Sequence, residues 1–266
     1  MNPRSEETSY LKRLIEDFSA DIEADESPRA FTMIAARYRI IEQSFRSSSL
    51  KDAGASSSDT NYVFIFKTLV SVLHEFLFRG ILSNAGEFRK ASDPNGGTIG
   101  FGGTKHQGRQ SKFKGAAPSG IEDKLEKALS NLEYETENPI DNALRFYQHF
   151  VYIHPFYDAN GRIGRAIVSI YLNDFDLYVQ WSEFDGPNNG KFINKLNECH
   201  KRIESGHRYE TYFSYLSDFF KRYVISVDEL SDFEWPFVMV ILLQSEKGTD
   251  YLEIIIRQSN TYPNYQ

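Results

Sequence analysis

The stretch HPFYDANGRIGR, residues 154–165, lies where one helical pattern ends and a second begins. Before it, apolar side chains recur at three- and four-residue intervals from Leu144 to Val151, which predicts an amphipathic helix. Pro155 cannot continue that helix, and it disfavours helical geometry in the residue before it. We therefore expect His154 at the end of the helix, where its ring is presented to a cavity.

The second helix is predicted to start near Gly161. Apolar residues resume helical spacing there, at Ile163, Ala166, Ile167 and Ile170. The first N–H groups of a helix have no partner within it, and the peptide dipoles place partial positive charge at that end. Phosphate oxygens are natural occupants of such a site, and Gly161 lets the backbone approach them closely.

Polar residues of the stretch add to this anion site. Arg162 and Arg165 are three residues apart, so both guanidinium groups are expected on one helix face, where they can fork onto phosphates. Asn160 adds an uncharged donor. Asp158 is the only acid of the stretch, and a carboxylate beside a polyphosphate is a usual ligand of Mg²⁺.

His154 has the chemistry of a general base. The ordinary pKa of an imidazole lies near neutrality, which suits it to accept a proton from an attacking hydroxyl group. The metal ion and the arginines would stabilise the charge on the phosphoryl group and the departing oxygens. The residues thus indicate nucleotide-phosphate chemistry with a hydroxyl acceptor, but they leave open which phosphate is attacked.

Residues 154–165 resemble the signature of the Fic family, HxFx(D/E)(A/G)NGRxxR, with every specified position filled. The resemblance implies a protein adenylyltransferase that moves AMP from ATP to a Ser, Thr or Tyr hydroxyl of a target protein and releases pyrophosphate. Position by position it implies His154 as the base, Asp158 as the Mg²⁺ ligand, Asn160, Gly161 and Arg162 as an anion-binding nest, Arg165 as the contact of the terminal phosphate, and Phe156 as the apolar anchor of the loop.

Two other functions remain open. Some relatives move UMP, phosphocholine or a terminal phosphate, because the orientation of the donor decides which group is attacked. The third hypothesis is a nucleotide-responsive, toxin-like or regulatory interaction module with little turnover. The intact His154 argues against the third hypothesis, because a binding-only module needs no base.

Upstream, residues 86–89 (GEFR) resemble the family's G-x-(Y/F)-R element, which precedes a hairpin flap over the active site. Strand formers and glycines between residues 96 and 115 predict that hairpin, and an ordinary glycine-rich surface loop is the alternative. An exposed hairpin edge can hold an extended target peptide by backbone pairing. The candidate target-binding residues of the flap are Gly102, Gly103, Lys112 and Phe113.

Glu23 is a candidate autoinhibitory residue. Many family members carry (S/T)xxxE(G/N), whose glutamate pairs with the second arginine of the signature. Residues 19–24 (SADIEA) fit this pattern except at the last position. A solvated acidic helix face is the alternative explanation.

The expected fold is mainly α: a Fic-type helical bundle with a small β-hairpin flap over the active site. We expect an N-terminal helical segment (1–50), a Fic domain (60–225) and a C-terminal appendage (226–266) that is a short hairpin or helical. Aromatic residues at helical spacing from Tyr209 to Tyr223 predict one helix of the domain.

Composition excludes several classes of protein. A net charge of −7 argues against general nucleic-acid binding. No apolar run approaches the roughly 20 residues that span a bilayer, and the charged N-terminus lacks the apolar core of a secretory signal. The single cysteine, Cys199, excludes an intramolecular disulfide and suits the cytoplasm. The expected partners are ATP and a target protein, and a homo-oligomer stays open because relatives often dimerise.

Overall fold

The computed structural model describes residues 33–34, 37, 40–41, 61–102, 112–181, 189–203 and 205–227. This part of the chain is mainly helical, as predicted, with six α-helices: α1 Asn61–Phe78, α2 Ile121–Leu129, α3 Pro139–Ile153, α4 Asn160–Asn173, α5 Asn189–His200 and α6 Tyr209–Phe220. Two small antiparallel sheets accompany them: β1 Gly100–Phe101 with β2 Phe113–Lys114, and β3 Leu177–Val179 with β4 Val224–Ser226.

The core is built around α3 and α4, which pack against each other and carry the signature between them. Their buried faces are rich in large apolar side chains, including Phe146, Phe150, Ile163, Ile167 and Tyr171. Full burial of one such side chain stabilises the fold by about 1.5–3 kcal/mol relative to exposure. The apolar periodicity that predicted both helices therefore also fixes how they face each other.

The bounds of α3 agree closely with the expected signals. Pro139 stands at its start, where the missing N–H costs nothing. Asn138 occupies the N-cap position, but its side chain makes no capping hydrogen bond. Its backbone N–H donates to Thr136 Oγ1 (3.0 Å). The helix ends at Ile153, so His154 is the first residue beyond it, as expected.

The predicted flap hairpin is confirmed, although its strands are short. Gly100 pairs with Lys114 and Phe101 with Phe113. Gly102 and Lys112 flank the paired residues and are exposed, whereas Gly103 lies outside the described residues. The second sheet, β3 paired with β4, was not predicted, because strands of three residues are too short to show alternation.

The N-terminal segment contacts the helical body through Arg37, which is itself in helical conformation. Its guanidinium donates to the carbonyls of Leu77 (3.1 Å) and Arg79 (2.8 Å), which satisfies orphan acceptors at the end of α1. Glu23 and the predicted C-terminal appendage beyond residue 227 lie outside the described residues. No helix of the described ranges has the length and apolar character to cross a membrane.

Two glycines of α4 allow a matched test of the α3–α4 packing. A Cβ at Gly164 would lie 2.9 Å from Tyr147 Cδ2 and 3.1 Å from Phe150 Cδ1, whereas a Cβ at Gly161 would meet only Tyr147 Oη, at 3.8 Å. We expect Gly164→Ala to be less stable to urea than Gly161→Ala by about 1–3 kcal/mol, because overpacking opposes a gain in helix propensity that both share. Equal stability of the two variants would contradict this packing.

Candidate active site

His154 lies at a sharp bend of the chain. Its backbone is left-handed, with φ of 53° and ψ of 60°, and its N–H still closes the last turn of α3 by donating to Phe150 O (3.0 Å). Positive φ is uncommon outside glycine and concentrates at functional positions. The bend, followed by Pro155, presents the imidazole at the end of the helix.

The surroundings of the ring identify the nitrogen that can accept a proton. Nδ1 of His154 lies 3.2 Å from the carbonyl oxygen of Val151. Because a carbonyl oxygen can only accept, Nδ1 must carry the hydrogen of the neutral ring. The lone pair is then on Nε2, the nitrogen that can serve as a general base.

The His154 imidazole is held neutral. Burial lowers its pKa to about 4, and the positive charge of Arg89 acts in the same direction. The Val151 carbonyl and the Asp158 carboxylate raise this pKa, but burial outweighs them. A general base must be unprotonated before it can accept a proton. The lowered pKa keeps His154 unprotonated at neutral pH, and the imidazole becomes protonated only as the pH falls toward 4.

The flap covers one face of the His154 ring. Phe101 of β1 stacks on the imidazole, with ring centroids 4.6 Å apart and planes within 10°. Three further rings surround Phe101: those of Phe113, Tyr152 and His200. We call these five rings the flap cluster, and it seats the hairpin on the ends of α3 and α5.

Arg89, of the predicted GEFR element, connects the flap to the end of α3. Arg89 is only 2% exposed, and each of its three side-chain nitrogens donates to a backbone carbonyl. Nε donates to His154 O (2.8 Å) and Nη2 to Ala116 O (2.8 Å) and, more weakly, Ile153 O (3.4 Å). Nη1 donates to Gly97 O. One guanidinium thus joins His154 to both ends of the flap.

The loop between α3 and α4 is anchored at two points. Asn160 is buried and exchanges two hydrogen bonds with the backbone of Phe156, accepting from its N–H and donating to its carbonyl (both 2.9 Å). The Phe156 ring stacks on His74 at 3.8 Å, and His74 Nδ1 accepts the Gly86 N–H (2.8 Å). Phe156 therefore anchors the loop in the core, and the Asn160 side chain contacts the loop backbone; its predicted contact with a nucleotide stays a prediction.

Gly86 is required by its surroundings. Its φ of 84° suits glycine, and a Cβ there would lie 2.8 Å from Glu75 Cβ. The close approach brings its N–H to His74, so the GEFR element and the signature loop are supported by the same buried imidazole. Burial lowers the pKa of His74 to about 4, which keeps it neutral as this acceptor role requires.

Asp158 is one-third exposed and forms an ion pair with Arg162 across one turn (3.2 Å). Its carboxylate lies at the N-terminal end of α4, where Ala159 provides no side-chain cap. A hard, partly exposed carboxylate oxygen fits a magnesium ion that shares its shell with phosphates and water. Among the described residues no group of three or more His, Cys, Asp or Glu forms a metal cluster, so Asp158 would hold the ion with ligands from outside the protein.

Arg162 and Arg165 rest on different aromatic rings. The Arg162 guanidinium lies 5.1 Å from the Phe78 ring at the end of α1, and that of Arg165 lies 5.1 Å from the Trp181 ring beyond β3. Asp158 thus interacts both with His154, whose pKa it raises, and with Arg162, with which it pairs. Arg165 instead contacts an aromatic ring on another part of the chain. The shared helix face was expected from the spacing, but the two separate supports were not.

Three features of the site were not predicted from the sequence: the stacking of Phe101 on His154, the multiple carbonyl partners of Arg89, and the contact of Arg165 with the Trp181 ring. Apart from the contact of Arg89 with Gly97, 8 positions away, each joins residues that are far apart in the sequence, so local periodicity holds no signal for it. The GEFR resemblance did mark Arg89 as notable, but not the role of its side chain.

Comparison with known proteins agrees with the signature. Residues 65–172 match the sequence model of the Fic/DOC family. No curated protein matches the chain.

Solved structures also resemble the chain, and two of them are Fic proteins. A Fic family protein from Desulfovibrio desulfuricans G20 shares 17% identity over 83% of this chain and 66% of its own, with a TM-score of 0.49. A Fic domain containing signaling protein from Bacteroides thetaiotaomicron shares 17% identity over 76% of this chain and 71% of its own, with a TM-score of 0.47. The chain thus spans just under two thirds of the first of these proteins.

The carbonyl partners of Arg89 make its side chain a strong determinant of stability. Arg89→Met would leave several buried carbonyls without donors, so we expect a loss of about 2–5 kcal/mol in the free energy of unfolding. Arg79→Met is the control: this arginine pairs with Glu75 across one helical turn, both side chains are more than a third exposed, and its loss should cost under about 1 kcal/mol. Urea denaturation followed by circular dichroism measures both, and similar losses would refute the assigned role of Arg89.

Proposed function

We propose that this protein transfers AMP from ATP to a Ser, Thr or Tyr hydroxyl of a target protein; residues 65–172 match the model of the Fic/DOC family, whose members are in general transferases. The observation that carries the proposal is the state of His154: a neutral imidazole with its Nε2 lone pair available, beside the N-terminal end of α4. A hydroxyl nucleophile needs such a base, and a nucleotide tail needs such a helix end.

The proposed reaction is a displacement at the α-phosphorus of ATP. The acceptor oxygen forms a bond to that phosphorus, its proton passes to His154 Nε2, and the bond to the β-phosphate oxygen breaks to release pyrophosphate. Arg162 and Arg165 offset the negative charge on the phosphates. The α4 amides, with Gly161 open to close approach, add donors without side-chain obstruction.

Asp158 is the residue that would hold Mg²⁺. When bound, the ion would neutralise charge on the phosphate oxygens. In the structure the same carboxylate pairs with Arg162, which places the proposed metal ligand beside a proposed phosphate contact. The two roles fit together, since both groups would address the same polyphosphate.

The target is proposed to bind along the exposed edge of the flap, near Gly102, Lys112 and Phe113, with Gly103 adjoining them in sequence. Lys112 and Gly102 are exposed, and an edge strand of this kind offers backbone groups to an extended peptide. The single cysteine, buried and free, suits a reducing compartment, and we include a cytoplasmic location in the proposal.

Two alternative functions would use the same site. A Fic-type transferase of UMP, phosphocholine or phosphate would use the same base with another donor orientation, and the presence of Gly161, Arg162 and Arg165 favours a triphosphate held for AMP transfer. A nucleotide-responsive interaction module would bind at α4 without turnover. The prepared Nε2 of His154 favours an enzyme over that module.

Labelled ATP distinguishes these functions. With Mg²⁺ and a host lysate, we expect protein to be labelled from α-³²P-ATP and not from γ-³²P-ATP, because AMP carries only the α-phosphate. His154→Ala should abolish labelling while ATP binding persists, and His207→Ala, which removes an exposed imidazole, should label as the parent does. Label from the γ-phosphate alone would disprove AMP transfer, and full labelling by His154→Ala would disprove the assigned base.

The metal role of Asp158 is tested by its amide variant. Asp158→Asn keeps the shape of the side chain but removes its charge. We therefore expect the Mg²⁺ concentration that gives half-maximal labelling to rise at least about tenfold, which corresponds to about 1.4 kcal/mol of binding free energy. Glu122→Gln, which alters an exposed carboxylate paired with Lys67, is the control. An unchanged Mg²⁺ titration for Asp158→Asn would remove this residue as the ligand.

A further inference from the structure

We propose that Phe101 is a positioning residue of the catalytic base: its ring holds the His154 imidazole in place, so that the flap which receives the target also sets the base. The effect of Phe101 on catalysis rests on the proposed function, whereas the stacking of Phe101 on His154 is independent of it. Nothing in the signature stretch assigns a role to Phe101, which lies 53 positions before His154.

The ring of His154 is fixed by contacts from three directions. Arg89 Nε holds its backbone carbonyl (2.8 Å), and Val151 O holds Nδ1 (3.2 Å). Neither contact covers the face of the ring. Phe101 does so, in a near-parallel stack at 4.6 Å, and such a stack restricts rotation of the imidazole. Nε2 is left as the nitrogen that these contacts do not engage.

Phe101 is in turn held by the rest of the flap cluster. Phe113, its partner in the strand register, lies 5.5 Å away, and His200 and Tyr152 meet it edge-on at 5.8 and 6.2 Å. The strands themselves are two residues long, and a hairpin that short has little stability of its own. The aromatic contacts therefore contribute much of what seats the flap on α3.

This arrangement couples acceptor binding to the base. A target peptide that pairs with the flap edge would add hydrogen bonds to the hairpin and favour the seated position of Phe101. The base would then be most rigidly oriented when an acceptor is present. Proximity and orientation are worth large factors in rate, and a displacement of about 1 Å can cost about 100-fold.

The ionisation of His154 depends on the same contact. The charged and titratable groups around it are Arg89 from the GEFR segment, Asp158 from the signature loop and His200 from α5, with the Val151 carbonyl from α3. The flap contributes Phe101, which keeps water from one ring face. Loss of that ring would hydrate the imidazole and raise its pKa from about 4 toward the ordinary value of about 6.5.

Proton NMR of the full chain tests the contact without any substrate. Stacking under Phe101 should displace the His154 ring C–H resonances upfield, and the variant His154→Gln identifies those signals among the six histidines. Phe101→Ala should remove the displacement and raise the titration midpoint of His154, whereas Phe101→Tyr should keep both. Tyr215→Ala is the control, since it removes an exposed aromatic ring that lies outside the flap cluster.

The outcomes are separable. If Phe101→Ala leaves the His154 resonances and midpoint unchanged, or if Tyr215→Ala changes them equally, the positioning role of Phe101 is overturned, whatever the activity. In the labelling assay, Phe101→Ala should lower kcat about 10- to 100-fold with the KM for ATP little changed, and Phe101→Tyr should restore it. An increase in the KM for ATP with kcat unchanged would also overturn the inference. Absence of labelling in the parent would count against the proposed function, while the NMR result would still decide the contact.

Discussion

The buried guanidinium of Arg89 is the interaction on which the site depends. Its donors face carbonyls at the end of α3 and at both ends of the flap, so the position of His154 and that of the hairpin are set by the same group. A cation at a helix C-terminus is favourable, because the peptide dipoles concentrate negative charge there. The position thus suits a charge that would otherwise be costly to bury.

The same charge also explains the state of the base. Arg89 and burial together lower the pKa of His154, so the free protein holds a neutral imidazole of low basicity. A triphosphate at the start of α4 would bring negative charge near the ring, and negative charge favours the protonated form. Binding of the nucleotide would therefore raise the basicity of His154 at the step where a proton has to be accepted.

The sequence predicts the local parts of this site well. The end of α3, the start of α4, the place of His154 and the flap hairpin all follow from periodicity, proline and glycine. It does not predict contacts between distant segments: Phe101 on His154, or Trp181 beneath Arg165. These contacts arise when helices pack, and packing depends on shape and volume rather than on spacing along the chain.

The separate supports of Arg162 and Arg165 bear on how a nucleotide would be held. The Arg162 guanidinium lies over the Phe78 ring and the Arg165 guanidinium over the Trp181 ring, and an aromatic face attracts a cation. Arg162 is in addition paired with Asp158. A polyphosphate that draws Arg162 away from Asp158 frees that carboxylate for a metal ion, so anion binding and metal binding at this helix end would reinforce each other.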